Sequence, residues 1–211
     1  MLKKKKQNGE FRFYELPQGE SVLALMGSKW IQVYGENIDN KHFHNLLEIG
    51  YCHYGDGDLV LQDEVYRFEA GMVSCIPANF LHVTRSDADV PAFWEYLYID
   101  PETSLRECGK RNIREIRELL ECINQKGFFI SAEKNPMLVN LIRAIFGQMQ
   151  NKAEYHRECV KGLVYALLFE IASYNGRSVT TTANNSNALQ LKNAIGYVEE
   201  HYAENFKIAD L

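Results

Sequence analysis

The sequence predicts an α+β chain in which a small β-barrel or sandwich precedes a helical segment. Three observations carry this. Up to about Asp100, short β-branched and aromatic runs alternate with Gly, Asp, Asn and Pro turns. Beyond it, apolar residues recur at steps of three and four instead of two. A polar stretch over 178–187, SVTTTANNSN, then separates a fresh amphipathic run from everything before it.

The strand signals are Val22–Leu25, Trp30–Tyr34, Glu48–Tyr54, Leu59–Leu61, Val73–Ile76 and Phe93–Ile99. Gly55-Asp56-Gly57 marks a tight turn, and Ala70-Gly71 a second. Strands this short at this spacing suit a sandwich or a small barrel. In the second half, Ile113, Ile116, Leu119, Leu120 and Ile123 predict an amphipathic helix closed by Gly127. Pro136 can open the next, with Leu138, Leu141, Ile142, Ile145 and Met149 on one face. A third, from about Tyr155 to Tyr174, is apolar over so much of its surface that it is either buried among several elements or placed at an oligomer interface. After the polar linker, Leu191, Ile195 and Val198 predict a helix from Ala188, and another begins near Ile208, so the sequence is expected to end inside a second domain.

Composition narrows the function classes. The 211 residues are 46% hydrophobic and 24% charged, which excludes a disordered chain, a collagen-like repeat and a small disulfide scaffold. A formal net charge of −5 argues against a chain built as a whole to coat nucleic acid. Cys52, Cys75, Cys108, Cys122 and Cys159 are odd in number and contain no CxxC pair, as expected of reduced, buried thiols in the cytoplasm. Lys3 to Lys6 have no apolar run behind them and predict a frayed, solvated tail over 1–9. The apolar stretch Gly162 to Tyr174 is too short to span a bilayer and is interrupted by Glu170, so no membrane association is expected.

The informative chemistry lies between Gly35 and His82. His42 and His44 alternate on one strand face, and Glu48 shares their parity if the strand is continuous. His82 follows a strand and the turn Ile76-Pro77-Ala78-Asn79. Three imidazoles and a carboxylate form a donor set suited to Zn, Fe, Mn, Ni or Cu, with geometry choosing among them and remaining positions open to a ligand or water. The alternative is that the four hydrogen-bond one another and line a pocket without metal.

These residues resemble a family. Gly35-x6-His42-x-His44-x3-Glu48-x6-Gly55 looks like the first cupin motif, and Gly71-x5-Pro77-x-Asn79-x2-His82 like the second. The resemblance implies a cupin-type, jelly-roll-like barrel, with His42, His44, Glu48 and His82 at the positions that bind metal in metal-containing cupins. The first spacer is one residue longer than the pattern, Asn79 stands in place of a Gly, and Ser86 in place of an Asn. None of these departures removes a ligand.

The order of parts resembles AraC-type transcriptional regulators. The tail LQLKNAIGYVEEHYAENFKIADL looks like the opening of that family's helix-turn-helix domain, with Ile195, Tyr197, Val198, Tyr202, Phe206 and Leu211 at its apolar core positions. The implied organisation is a cupin effector-binding domain over 10–105, a helical dimerisation segment over 106–177, a linker over 178–187 and the start of the DNA-binding domain over 188–211. The implied partners are a small-molecule effector, a second copy of the chain, and DNA through the full-length protein. No DNA-binding residue is expected in this chain, because Lys192 and Lys207 face Glu199, Glu200, Glu204 and Asp210, two positive charges against four negative, a net −2.

Parity supplies the effector candidates. Cys52 and Tyr54 share the face of Glu48, and Thr84 that of His82, so all three are expected to point into the barrel. In Phe93–Tyr98 either Trp94, Tyr96 and Tyr98 or Phe93, Glu95 and Leu97 face inward, and the first choice adds Trp94 and Tyr96 to the site. Aromatic side chains there suit a sugar or another ring-bearing effector, or are simply core. A metal-dependent cupin enzyme, an oxygenase or isomerase, is the competing function, but it has no use for a polar linker followed by a new amphipathic helix.

Overall fold

The structure of the protein, a computed structural model, describes residues 9–35, 41–107, 109 and 111–177. Most of the expected basic tail, the expected linker over 178–187 and the expected start of a helix-turn-helix domain over 188–211 lie outside the described residues.

Two sheets carry the fold. The first contains β1 (Glu10–Arg12), β4 (His42–His44), β9 (His82–Ser86), β6 (Gly57–Leu61) and β7 (Glu64–Phe68), in that spatial order. The second runs β11 (Phe128–Ser131), β8 (Met72–Ile76), β5 (Leu47–Tyr54), β10 (Ala92–Ile99) and β2 (Leu23–Leu25), with the short β3 (Ile31–Gln32) also paired to β10. Every pairing is antiparallel except that of β1 with β4. The chain changes sheet between His44 and Leu47, and this crossing sets the paired histidines of β4 and β9 near Glu48 of β5.

Strand β10 shows why the core has two parts. Trp94, Tyr96 and Tyr98 are buried with Leu46, Cys52 and Phe68 in a cluster between the sheets. The intervening Leu97 and Ile99 are buried on the other face, with Leu47, Ile49, Val73 and Cys75, beneath the helices. A strand covered on both faces reads as a continuous apolar run, so parity alone left its inward face open.

The helices are α1 (Pro101–Glu107), α2 (Ile113–Ile123), α3 (Pro136–Asn151) and α4 (His156–Arg177). Asn112 and Glu115 cap α2 reciprocally, and Asn135 caps α3 ahead of Pro136. The wide apolar surface of α4 is largely used within this chain. Val160, Val164, Leu167, Leu168, Ile171 and Ala172 are buried in the helical-side core, and Leu163 and Phe169 pack against it.

Three sequence expectations need correction. The span 106–177 is not purely helical, because Phe128–Ser131 adds strand β11 to the edge of the second sheet. Gly127 does not close α2, which ends at its C-cap Asn124. A Cβ on Gly127 would lie 2.5 Å from Leu61 Cδ2 and 3.1 Å from the Cys75 carbonyl, so glycine is needed for close approach to the barrel. Trp30–Tyr34 contains only a two-residue strand, preceded by a 3₁₀ turn over Ser28–Trp30.

The turn residues of the two motifs fit their backbone. Gly35, Gly55 and Gly71 all have positive φ, between 82° and 96°. Asn79, in the place of a patterned glycine, has φ 65°, a left-handed conformation that asparagine tolerates better than most side chains. The exchange therefore keeps the turn that delivers His82.

Candidate ligand and metal site

His42 and His82 are directly opposed in the β4–β9 pair, with ring centroids 4.2 Å apart. Glu48 comes from the facing sheet, where it is paired in register with Tyr98, and the Tyr98 hydroxyl donates to Glu48 Oε2 at 2.8 Å. One donor atom each from His42, Glu48 and His82 lies within 4.8 Å of the other two. His44 falls outside that triple but adjoins it, with Nε2 3.1 Å from Glu48 Oε2.

Two backbone carbonyls fix the imidazoles. His44 Nδ1 lies 2.7 Å from the Leu46 carbonyl and His82 Nδ1 2.8 Å from that of Phe80. A carbonyl only accepts, so each Nδ1 carries a hydrogen and donates it. The other nitrogen of each ring, Nε2, is the one left to meet Glu48. Both Nε2 atoms are buried and face Glu48 Oε2, at 3.1 Å from His44 and 3.6 Å from His82, without an aligned hydrogen bond. Burial raises the Glu48 pKa, but the His82 and His44 rings outweigh it and hold the carboxyl well below its usual range. Burial, with His82 beside it, lowers His42 to about 3, leaving a neutral ring with a free lone pair.

An ionised carboxylate and three imidazole rings thus converge in a place largely shielded from water. Such a floor is satisfied by a positive centre: protons on the rings, a divalent metal ion, or a donor-rich ligand group. The orphaned nitrogens, with each Nδ1–H anchored to a carbonyl, fit a metal well, since the outer hydrogen bond orients the ligating nitrogen.

Above this floor opens a cavity of about 330 Å³. Its lining includes Arg12, Tyr14, Trp30, Gln32, Val33, Tyr34, Thr84, Tyr96 and Tyr98. The Tyr34 hydroxyl donates to the Trp30 carbonyl at 2.8 Å. Burial pushes Tyr34 up to about 12, and burial together with neighbouring Tyr34 or Glu48 raises Tyr96 and Tyr98, so these phenols remain neutral donors at pH 7. The volume is at the small end of ligand pockets and suits a compound of monosaccharide or single-ring size.

His42, Glu48, His82, Thr84 and Tyr96, all sequence candidates, line the cavity. His44 is buried behind its floor. Cys52 and Trp94 are instead buried in the apolar cluster between the sheets, outside the lining. Burial pushes the Cys52 thiol up to about 12, as suits an inert core residue. Tyr54 is 45% exposed at the end of β5 and packs on Phe93. The β5–β10 register shifts between Phe93 and Trp94, and that irregularity ends the parity from which Tyr54 was placed inside.

The lining residues that the sequence reading missed are mainly Arg12, Tyr14, Gln32, Val33 and Tyr34, together with Trp30 and Tyr98, which it noted without assigning to the site. Gln32 and Tyr34 alternate within a strand signal and could have been proposed by parity. Arg12 and Tyr14 carry no such signal, because their place depends on long-range grips. The Tyr14 amide donates to Asn45 Oδ1 at 2.8 Å, and Asn45 Nδ2 donates back to the Tyr14 carbonyl at 2.9 Å.

Fold and site together define a cupin-type ligand-binding barrel backed by helices. Residues 34–168, more than half of the chain, match the model of the AraC-like ligand binding domain, and the chain belongs to that family. Among solved structures it is similar to an apo variant of ToxT from Vibrio cholerae strain SCE256, at 17% identity and TM-score 0.50, covering 90% of this chain and 68% of that one. It is also similar to the AraC-like transcriptional activator CuxR, at 14% identity and TM-score 0.44, covering 68% and 45% of the two chains. A more local likeness is to oxalate decarboxylase from Bacillus subtilis, at 19% identity and TM-score 0.25, covering 28% of this chain and 16% of that one. This chain therefore spans about two thirds of ToxT and a small part of the decarboxylase. No curated protein matches it. Among the described residues, no helix is long and apolar enough to cross a membrane.

Proposed function

We propose that this chain is the effector-sensing and dimerising part of a ligand-responsive transcriptional regulator that works in the cytoplasm and meets DNA through a C-terminal helix-turn-helix domain beginning near residue 188. The observation that carries this is the aromatic-lined cavity whose floor, His42, Glu48 and His82, lies within the span matched by a ligand-binding family. His42, Glu48 and His82, with His44 adjoining, would hold a divalent transition metal such as Zn, Ni, Fe or Mn, which when bound would offer open positions to an effector's oxygen or nitrogen donors. The ring faces of Tyr14, Trp30 and Tyr34 suit a sugar or another ring-bearing compound, and the Thr84 and Tyr96 hydroxyls can orient it. Occupancy acts by shifting a population between two arrangements of the dimer, which requires an effector with different affinity for each.

A thermal-shift screen of monosaccharides and single-ring aromatic metabolites tests the binding role. A true effector at about 100 times its Kd stabilises the fold by about 2.7 kcal/mol. At least one compound should raise the melting temperature of the wild type and have a smaller effect on Thr84→Ala. A uniformly flat panel, with metal present and absent, contradicts the reading.

A further inference from the structure

Residues 13–22 touch both the cavity and the helices. Tyr14 lines the cavity and stacks on Tyr98 at 4.0 Å between ring centroids. Eight residues later, Val22 is fully buried in the helical-side core. Between them lies Glu20, a largely enclosed carboxylate, its side chain 9% exposed, with no part in the cavity. Its Oε1 accepts from Arg157 Nε at 3.0 Å and stands 3.8 Å from His156 Nε2, so it grips the second residue of α4 across 137 positions of sequence, beside the first. Glu20 Oε2 and His156 Nε2 are both buried without a hydrogen-bond partner.

A carboxylate at a helix N-terminus is favoured by the helix dipole and here by the Arg157 guanidinium. Burying it with one oxygen unsatisfied is nevertheless a poor way to gain stability. What the arrangement does secure is position: Glu20 ties the segment that begins at cavity-lining Tyr14 to the start of α4. We propose that Glu20 is a positioning residue whose joint with Arg157, beside His156, couples the cavity-lining segment at Tyr14 to α4. On the effector-sensing reading above, this is a route by which a filled cavity is felt at the helix that leads towards residue 177.

Coupling is reciprocal, so it can be tested from both ends without any effector. Hydrogen exchange is measured on the metal-free chain as wild type, Arg157→Ala and Asn45→Ala. Arg157 is half exposed, so its truncation leaves the core intact. Loss of a charge-assisted hydrogen bond should raise local opening about tenfold. In Arg157→Ala the Tyr14 amide, held by Asn45, should exchange about that much faster. In Asn45→Ala the Cys159 amide, which donates to the Tyr155 carbonyl in the first turn of α4, should accelerate in turn. Amides of α3 around Ile142 should keep their wild-type rates in both. An unchanged distant reporter in either variant, or an acceleration shared equally by α3, overturns the joint. Failure of metal or effector binding would remove the proposed function and leave this result standing.

Discussion

Trp94→Ala should lower the unfolding free energy by about 3–5 kcal/mol, the range for truncating a fully buried tryptophan. Trp94 is 1% exposed and bridges the two sheets. Its ring meets Phe68 edge-on at 5.0 Å, stacks on Tyr96 at 6.0 Å and reaches Phe129 of β11 at 6.4 Å. Its neighbours are held by separate ladders and cannot all close on the space left behind, so most of the cavity should persist. The indole N–H has no hydrogen-bond partner, so little polar energy opposes a purely apolar replacement. Trp94→Phe should accordingly cost much less than the alanine. Urea denaturation at constant slope measures both. A loss below about 1 kcal/mol for the alanine variant would show that Trp94 does not hold the sheets together.

The second large effect is acid sensitivity of the metal-free protein. His42 is held at about 3 against an ordinary value of 6.5, first by burial and then by His82. As pH falls below about 6.5, the unfolded chain takes up a proton on this ring that the folded chain refuses, so stability declines until about pH 3. Glu48 acts in the same sense. Its depressed pKa contributes stability above the ordinary carboxylate range, and that contribution is lost as pH falls through the folded value. Both signs agree. Denaturation midpoints followed from pH 7 to pH 4 should fall steadily, and the fall should be shallower in His42→Gln. A flat profile, or one equally steep in that variant, contradicts the account of a neutral, buried His42.

The elements that could be read from sequence are those whose signal is local. Amphipathic helices α2 and α3 follow from the period of their apolar residues and, for α3, from Pro136 at its start. The floor residues His42, Glu48 and His82 follow from two spaced motifs, and the positive φ of Gly35, Gly55, Gly71 and Asn79 shows that these spacings describe real turns. Features that depend on distant partners were not legible. Arg12 and Tyr14 reach the cavity through Asn45 and the pairing of β1 with β4, neither of which leaves a mark in residue spacing. Strand β11 sits between helical segments and is a strand because the edge of β8 receives it. Cys52 and Trp94 obey parity but lie too far from the floor, a matter of depth along the barrel that alternation does not encode. Tyr54 failed for a third reason, the register shift opposite the end of its strand.

The convergence of Glu48 with orphaned imidazole nitrogens is the centre of the functional account, and metal content tests it most directly. Protein purified without chelator or added metal should carry about one divalent transition metal ion per chain, as expected of a preorganised site of three protein donors or more. After stripping, Zn²⁺ or Ni²⁺ should raise its melting temperature, and Glu48→Ala should abolish both the stoichiometry and the rise. Absence of stoichiometric metal, together with a melting temperature indifferent to either ion, would contradict the account.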